Sequence, residues 1–279
     1  MKILLTGADG MLGKDLLPLL SVKYEVLGRD IQDFDITDRK RVQEEIAAYR
    51  PDVVIHTAAY TDVDGCEGKK ELAFAVNGEG ALNVALGCAR VRSRMIHLST
   101  DYVFDGRSET PYSEGNPPNP LSVYGKSKLQ GERYIQEVLE NFLIIRTAWL
   151  YGRQGKNFVD TILRLAKEKD ELRVVNDQRG SPTFTKDLSQ AISRMSEEEF
   201  RGILHVTNSG SCTWFEFAKK ILDLKLPSGR KVPVIPISSA ELARPAPRPA
   251  NSVLDCSEFE RITGFRLRNW EEGLKEYLS

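Results

Sequence analysis

The sequence is poor in the features that mark disulfide-bonded, zinc-binding and membrane proteins. Its 279 residues include only four cysteines, which lie far apart and form no CxxC pair. This spacing supports neither a disulfide framework nor a cysteine zinc site, and it is typical of reduced thiols in a cytosolic protein. No signal-like segment precedes the first apolar run, and no apolar stretch is expected to span a bilayer. We therefore expect a cytoplasmic protein without membrane contacts.

The chain also lacks an excess of either charge. Lys and Arg number 39, and Asp and Glu number 40, which leaves a formal net charge of -1. Such a protein has no global field that would attract nucleic acid or an anionic membrane, so neither is expected as a partner. An anionic ligand must therefore be held by a local site.

Short apolar runs alternate with helical patterns through the first half of the chain. The runs at Ile3–Thr6, Val53–Ala58 and Met95–Ser99 lack period-two alternation, which indicates strands buried on both faces. The helical patterns between them indicate right-handed crossovers. This order predicts an α/β fold with a doubly wound parallel sheet of the Rossmann type. We place a dinucleotide-binding domain at 1–150, with returns of the chain around 184–208.

The second half is less regular and is predicted to form a smaller C-terminal substrate-binding α/β region at 151–279. Two capping boxes, Thr213…Glu216 and Ser257…Glu260, predict the starts of helices. A loop rich in proline and basic residues is predicted from about Lys225 to Pro249. No internal repeat or low-complexity segment interrupts the chain.

The turn after the first strand is rich in glycine. Gly7, Gly10 and Gly13 stand in the sequence GADGMLG, directly before the first predicted helix. Such a turn lets the backbone approach a pyrophosphate and directs helix N–H groups and the helix dipole at it. The spacing is GxxGxxG rather than GxGxxG, and glycines also end strands for structural reasons. The position of the turn between strand and helix therefore carries the prediction of a dinucleotide site.

A second strand is predicted at Glu25–Leu27, and one basic and one acidic residue stand at its end. Asp30 can hydrogen-bond the adenosine ribose, whereas Arg29 can meet a 2′-phosphate. Since both are present, NADPH and NADH are both open as the cofactor. Asp35 and Ile36 follow in a loop that could border the adenine, although Asp35 could equally cap the helix before Arg39.

A tyrosine and a lysine four positions apart form the candidate catalytic pair. Tyr124 and Lys128 share one face at the start of a predicted helix. The unperturbed pKa of a phenol is about 10, and a nearby ammonium is expected to lower it, which suits a general acid for a ketone. The pattern YxxxK is common by chance. Ser99 and Thr100, however, lie at the C-terminal end of the apolar run Met95–Ser99, and parallel sheets bind their ligands beyond such strand ends.

These residues together resemble the extended short-chain dehydrogenases/reductases, and among them the dTDP-4-dehydrorhamnose reductase family. The matching stretches cover nearly the whole chain. They are RPDVVIHTAAYTDVD (50–64), HLSTDYVFDG (97–106), YGKSKLQGE (124–132), IIRTAWLYG (144–152), NDQRGSPT (176–183) and RPANSVLD (248–255). The resemblance implies that NADPH or NADH reduces the C4 ketone of a nucleotide-linked 4-keto-6-deoxysugar. The implied substrate is dTDP-4-dehydro-L-rhamnose, in nucleotide-sugar biosynthesis for cell-surface polysaccharide.

The resemblance also implies roles for individual residues. Thr100 would hydrogen-bond the keto oxygen, Tyr124 would protonate it, and Lys128 would hold the nicotinamide ribose. The implied cofactor contacts are Met11 and Leu12 at the pyrophosphate, Asp30, Asp35 and Ile36 at the adenosine, and Ala58, Ala59 and Tyr60 along the cleft. The implied sugar contacts are Val63, Asp101, Tyr102, Trp149 and Asn157, with Arg248 at the substrate pyrophosphate.

Several of these residues also have a plain structural interpretation. Trp149 could be a core aromatic, Asp101 a turn residue, and Asn157 the cap of the following helix. The three histidines are expected to be packed core groups rather than ligands; they are His56, His97 and His205. Some members of this family dimerise through carboxylates and a metal. No matching acidic cluster is present, so no metal is predicted, and both a monomer and a homodimer stay open.

Two other functions remain in view. A nucleotide-sugar 4,6-dehydratase needs an acidic pair after the hydroxyl residue, whereas Thr100 is followed by Asp101 and Tyr102, which disfavours elimination. An epimerase would use the same tyrosine, and the stretches at 97–106 and 176–183 argue against it. A branch of the same family serves as the non-catalytic regulatory partner of methionine adenosyltransferase. The presence of Thr100, Tyr124 and Lys128 favours catalysis, because binding alone does not require all three.

Overall fold

The structure, a computed structural model, describes residues 1–225 and 232–279. Its strands are β1 (Lys2–Thr6), β2 (Glu25–Arg29), β3 (Val53–His56), β4 (Arg94–Thr100), β5 (Phe142–Thr147), β6 (Leu150–Tyr151), β7 (Leu172–Val175), β8 (Arg179–Gly180), β9 (Thr183–Phe184), β10 (Gly202–His205), β11 (Cys212–Thr213) and β12 (Val234–Ile237). Its helices are α1 (Gly13–Ser21), α2 (Arg39–Tyr49), α3 (Val63–Gly68), α4 (Lys70–Phe74), α5 (Gly80–Val91), α6 (Val123–Val138), α7 (Phe158–Glu168), α8 (Thr185–Met195), α9 (Trp214–Lys225), α10 (Ser239–Leu242), α11 (Ser257–Thr263) and α12 (Trp270–Leu278).

A six-stranded parallel sheet forms the centre of the fold. Its strand order is β10-β5-β4-β3-β1-β2. Every residue of β3 and β4 is buried, as continuous apolar runs predict for strands covered by helices on both faces. The doubly wound Rossmann-type fold is therefore confirmed. The winding reverses between β1 and β3, and parallel sheets bind their ligands beyond the carboxyl ends of such strands.

Two apolar cores lie on opposite faces of this sheet. On one face α1 and α8 pack together, with Leu16, Leu20, Leu188 and Ile192 fully buried. On the other face α2, α5 and α6 pack, with buried residues at helical spacing such as Val42 and Ile46. The helices thus hold the strand ends rigidly, and the side chains that follow those ends share one edge of the sheet.

One helical stretch needs separate comment because of its apolar composition. Residues Lys70–Val91, from α4 through a π-helical turn to α5, run for 22 residues and are long and apolar enough to cross a membrane. The expectation that no apolar stretch reaches this length was therefore wrong. In the structure 56% of its most apolar 18-residue segment is buried, and α5 packs against α2 and α6. Its apolar face is thus used in the core of the protein.

The C-terminal region has its own core and three small sheets. The pairs are β7 with β12, β6 with β9, and β8 with β11. The core lies among α7, α9 and α12, where Phe217, Ile221 and Leu274 are fully buried. The chain also returns to the large sheet, since β10 pairs in parallel with β5. The division into 1–150 and 151–279 stays a proposal.

The two predicted capping boxes had different outcomes. The Thr213 hydroxyl accepts from the Glu216 N–H at 3.1 Å, and the Glu216 carboxylate accepts from the Thr213 N–H at 2.7 Å, so the first box is confirmed. The second helix, α11, begins at Ser257 as predicted, but its capping box was wrong, because Cys256 is the N-cap and no side chain caps it.

The predicted loop from Lys225 to Pro249 is also partly ordered into regular elements. It contains β12 and α10, and α10 begins with a capping box formed by Ser238 and Glu241. Alternating proline and basic residues concealed these short elements. The part of the predicted loop at 226–231 lies outside the described residues.

Candidate active site

A cavity of about 910 Å³ opens at the carboxyl ends of β1 to β4. This volume lies in the range of about 300–1,000 Å³ that is usual for small-molecule sites. Predicted catalytic and cofactor residues that line it are Gly7, Gly10, Met11, Leu12, Gly13, Arg29, Asp30, Asp35, Ile36, Ala58, Ala59, Tyr60, Thr100, Tyr124 and Lys128. Predicted sugar contacts that line it are Val63, Asp101, Tyr102 and Trp149. Asn157 and Arg248 are not part of its wall.

The glycine turn is packed so closely that neither Gly7 nor Gly13 has room for a side chain. Gly7 has φ +74°, and a Cβ there would lie 2.6 Å from the Ala58 nitrogen. A Cβ on Gly13 would lie 2.6 Å from the Ala8 carbonyl oxygen. The turn leads directly into α1. The Lys14 and Leu16 N–H groups donate to the Gly10 and Leu12 carbonyls, whereas the N–H groups of Met11, Leu12 and Gly13 make no such bond among the described residues. Backbone N–H groups of this kind at a helix N-terminus fit a pyrophosphate.

The end of β2 presents an acidic group that is already tied to the glycine turn. The Asp30 carboxylate accepts from the Asp9 N–H at 2.8 Å. Arg29 lies beside Glu45, with Nε 3.5 Å from the carboxylate oxygen, and also beside Asp33 at 3.9 Å. Asp30 therefore joins β2 to the turn while it lines the cavity, and the Arg29 charge is shared with two carboxylates.

Asp35 does not cap the second helix. Its carboxylate accepts from the Thr37 N–H at 2.8 Å, two residues ahead. The N-cap of α2 is Asp38, which accepts from the Arg41 N–H at 3.1 Å. The capping alternative for Asp35 was therefore wrong, and its position on the cavity wall leaves the predicted adenosine contact as a proposal.

The predicted catalytic residues come together from two elements. Helix α6 begins at its N-cap Ser122, which accepts from the Gly125 N–H at 3.1 Å, so Tyr124 and Lys128 lie in its first turns. The Thr100 hydroxyl at the end of β4 neighbours the Tyr124 phenol and acts to lower its pKa. Thr100 also donates to the Asp101 carboxylate at 3.0 Å. A ketone oxygen placed here would meet two hydroxyl groups.

The pKa of Tyr124 shifts in the direction opposite to the one predicted. Burial raises the pKa of this phenol above its usual value, and the neighbouring Thr100 hydroxyl opposes the rise only in part. Lys128 was expected to lower it. In the structure the Lys128 amine instead donates to the Leu98 carbonyl at 2.5 Å and lies 3.3 Å from His97 Nε2. The phenol consequently keeps its proton at neutral pH, which a proton donor requires.

Lys128 is itself a perturbed group. It is buried, and burial lowers the pKa of its amine to about 8, while the Glu132 carboxylate acts in the opposite direction. The neighbouring ring of His97 stacks on His56 at 5.2 Å between centroids. Burial lowers the pKa of His56 to about 3 and that of His97 as well, so both rings stay neutral. They are packed core groups, as the sequence predicted.

The far end of the cavity is built by aromatic residues, one of which sequence analysis missed. Trp149 has φ +48°, in the left-handed region, and its ring stacks on Trp214 with centroids 3.4 Å apart and planes 5° apart. Trp214 and Lys156 both line the cavity. Neither carries a sequence signal, since an aromatic residue at the start of a helix and a loop lysine are both ordinary.

Two predicted contacts lie behind the wall rather than in it. Asn157 caps α7 by accepting from the Asp160 N–H at 3.0 Å, and its amide donates to the Gly152 carbonyl at 2.9 Å. The Arg248 guanidinium lies 3.0 Å from the Asp64 carboxylate and neighbours the Tyr102 hydroxyl, whose pKa it acts to lower. Both remain predictions as ligand contacts, and in the structure both support the residues that surround the cavity.

Comparisons with known proteins add independent information. The model of the RmlD substrate binding domain family matches residues 1–279. The chain is 44% identical to the spore coat polysaccharide biosynthesis protein SpsK of Bacillus subtilis, over 99% of this chain and 96% of that protein. It is 41% identical to a dTDP-4-dehydrorhamnose reductase of Sinorhizobium fredii, again over 99% and 96%.

Solved structures agree with the fold at the same level. A dTDP-4-dehydrorhamnose reductase from Bacillus anthracis, in complex with NADP, superposes with a TM-score of 0.94 and is 41% identical. The alignment covers 99% of this chain and 98% of that chain.

Among the residues that the structure describes here, no group of three or more His, Cys, Asp or Glu side chains could hold a metal ion.

Proposed function

Because the chain belongs to the RmlD substrate binding domain family, we propose that it reduces the C4 ketone of dTDP-4-dehydro-L-rhamnose to dTDP-L-rhamnose with NADPH or NADH. The observation that carries this proposal is the meeting of Thr100, Tyr124 and Lys128 in one cavity with the glycine turn. Relatives with near-full coverage are named dTDP-4-dehydrorhamnose reductases, and one of the solved relatives holds NADP.

The chain's own residues would supply binding, orientation and a proton. A bound nicotinamide would supply the hydride that C4 receives. The Tyr124 phenol would donate its proton to the oxygen as negative charge develops there. The Thr100 hydroxyl would hydrogen-bond the same oxygen and stabilise that charge in the transition state. Lys128 would hold the nicotinamide ribose, and the glycine turn would hold the pyrophosphate.

The structure also bears on the dehydratase alternative. Elimination of water needs a second acid–base group after Thr100, and the residues there are Asp101 and Tyr102. Burial raises the pKa of the Tyr102 hydroxyl above the usual value of a phenol, and the neighbouring Arg248 charge opposes the rise only in part. A phenol in this state does not replace a carboxylate, so reduction is favoured over dehydration.

The direct test is the loss of near-ultraviolet absorbance of NADPH and NADH on mixing the protein with dTDP-4-dehydro-L-rhamnose. We expect rapid oxidation and dTDP-L-rhamnose as the product. Oxidation with another 4-keto sugar alone would correct the substrate. Dinucleotide binding without oxidation by any 4-keto sugar would contradict catalysis and support the non-catalytic binding role. A cytoplasmic location and a monomeric or homodimeric state stay part of the proposal.

Cofactor preference is expected to depend on Asp30. An Asp30→Lys variant should lower the affinity for NADH relative to NADPH by about tenfold or more, because a ribose hydroxyl loses its acceptor and a 2′-phosphate gains a cation. The measurement is the ratio of the dissociation constants of NADH and NADPH. The substitution also removes the hydrogen bond from the Asp9 N–H, but this loss affects both cofactors and cancels in the ratio. Glu44→Lys on the exposed side of α2 is the matched control. An unchanged ratio would place ribose recognition elsewhere.

A further inference from the structure

Helix α6 places a fully buried glutamate in line with the two proposed catalytic residues. Tyr124, Lys128 and Glu132 follow one another at intervals of four and therefore share one helix face. The Glu132 side chain is 0% exposed and its partner Arg146 is 2% exposed. Nothing in the proposed chemistry uses this pair directly, although it lies one helical turn beyond Lys128.

The Glu132 carboxylate joins α6 to the neighbouring strands β4 and β5. Arg146 of β5 donates to it twice, from Nε at 3.0 Å and from Nη2 at 2.6 Å. The Ser99 hydroxyl of β4 donates to the same carboxylate. Ser99 and Arg146 are paired in the sheet register, and each precedes the last residue of its strand, which for β4 is Thr100. One carboxylate thus joins the helix that carries Tyr124 and Lys128 to the strand end that carries Thr100.

A charged pair in this place is not explained by stability alone. Removing two charges from water costs several kcal/mol each, and apolar residues of similar volume often stabilise a fold as well or better. One nitrogen of Arg146, Nη1, also has no hydrogen-bond partner in the structure, although the guanidinium lies 5.2 Å from the Phe104 ring. The negative charge of Glu132, beside a buried lysine, therefore calls for a further role.

We propose that Glu132 is a positioning residue of the reductase site, which keeps the buried Lys128 amine charged and holds α6 against the end of β4. The inference rests on the proposed function, because that function gives Lys128 its place at the nicotinamide ribose. The residue acts through Lys128 and Ser99 and touches neither substrate nor cofactor.

The charges around Lys128 show why Glu132 is decisive. From β4 and β3 the amine is faced by His97 and His56, which burial keeps neutral. On α6 the charge that favours the ammonium is Glu132, against burial that lowers the Lys128 pKa to about 8. Arg146 of β5 donates two hydrogen bonds to the same carboxylate, and the Lys128 pKa responds to burial and to Glu132. Without the carboxylate, the amine would lose its proton at a lower pH.

The test compares the pH dependence of two properties in Glu132→Gln and in the wild type. The first is kcat/KM for the 4-keto sugar, and the second is the affinity for NADPH, which needs no turnover. We expect the alkaline limb of both profiles to move to lower pH by about one unit. Near pH 8 the variant should then be about fivefold less active, approaching about tenfold at higher pH, while at low pH the loss is smaller.

Three further variants separate charge from structure. Glu132→Asp keeps the charge and should restore the wild-type limb at least in part. The single variant Glu132→Gln leaves the Arg146 charge unpaired and could fail to fold for that reason. The double variant Glu132→Gln with Arg146→Gln removes both charges, so it tests the shift of the alkaline limb in that case. Glu168→Gln, in the exposed Arg164–Glu168 pair of α7, is the matched control and should leave both profiles unchanged.

The outcomes distinguish this inference from the proposed function. Unshifted profiles in both glutamine variants, with a lower melting temperature, would show that Glu132 is structural only and overturn the inference. A wild-type protein that binds NADPH but reduces no 4-keto sugar would overturn the proposed function. In that case a shifted NADPH-binding profile would still support the action of Glu132 on Lys128.

Discussion

Replacing Tyr124 with phenylalanine is expected to lower kcat about 100- to 10,000-fold, the usual contribution of a positioned general acid. The phenol lines the cavity beside Thr100, and it keeps its proton because burial raises its pKa. Phenylalanine has nearly the same volume, so the fold and the dinucleotide affinity should change little. The measurement is the rate of NADPH oxidation at saturating 4-keto sugar, together with an NADPH binding titration.

A second tyrosine of the same helix provides the control. The Tyr134 hydroxyl donates to the Glu79 carboxylate at 3.1 Å and lies outside the cavity wall, so Tyr134→Phe should keep nearly full activity. If Tyr124→Phe retained wild-type turnover, the proton would have to come from another group, and Thr100 would be the next to substitute. If cofactor binding disappeared with activity, the variant would report a binding defect instead.

The second large effect is expected at the glycine turn. A Gly13→Ala variant should lose about 1–3 kcal/mol of dinucleotide binding or folding free energy, which is the usual cost of overpacking. The added Cβ would meet the carbonyl oxygens of Gly7 and Ala8, and both belong to rigid backbone rather than to a side chain that can turn away. Relief therefore requires the turn itself to move. NADPH titration and thermal unfolding measure the two possible losses.

Gly68 offers a matched control for this substitution. It ends α3, and no atom lies within 4 Å of an added Cβ. Gly68→Ala should therefore bind NADPH like the wild type and unfold at the same or a higher temperature, since alanine is the better helix former. Equal behaviour of the Gly13 and Gly68 variants would mean that close packing of the turn is not needed for the cofactor.

The fold was largely predictable because its strands are buried on both faces. Runs such as Val53–Ile55 and Met95–Leu98 show no alternation of polar and apolar residues, which is the pattern expected of strands buried on both faces. The places of Thr100, Tyr124 and Lys128 on the cavity wall were predictable for a related reason. Thr100 ends β4, and Tyr124 and Lys128 are linked by helical spacing, so local patterns were enough to place each of them.

Other features depended on contacts between distant parts of the chain. Lys156 and Trp214 reach the cavity only through the packing of the C-terminal region. The direction of the Tyr124 pKa shift depended on burial and on the side to which the Lys128 amine turns. The cap of α2 depended on which of two aspartates, three residues apart, reaches the helix N–H groups. Spacing along the sequence carries none of this information.

The stacked indoles of Trp149 and Trp214 give the protein an optical reporter of its own. Two of its three tryptophans form this pair on the cavity wall, with parallel rings 3.4 Å apart. The third, Trp270, is buried in the C-terminal core against Phe217. Parallel indoles at this distance couple their electronic transitions, so near-ultraviolet circular dichroism should contain a paired band from the cavity. A ligand that enters beside the pair would change this signal and the emission without any attached dye.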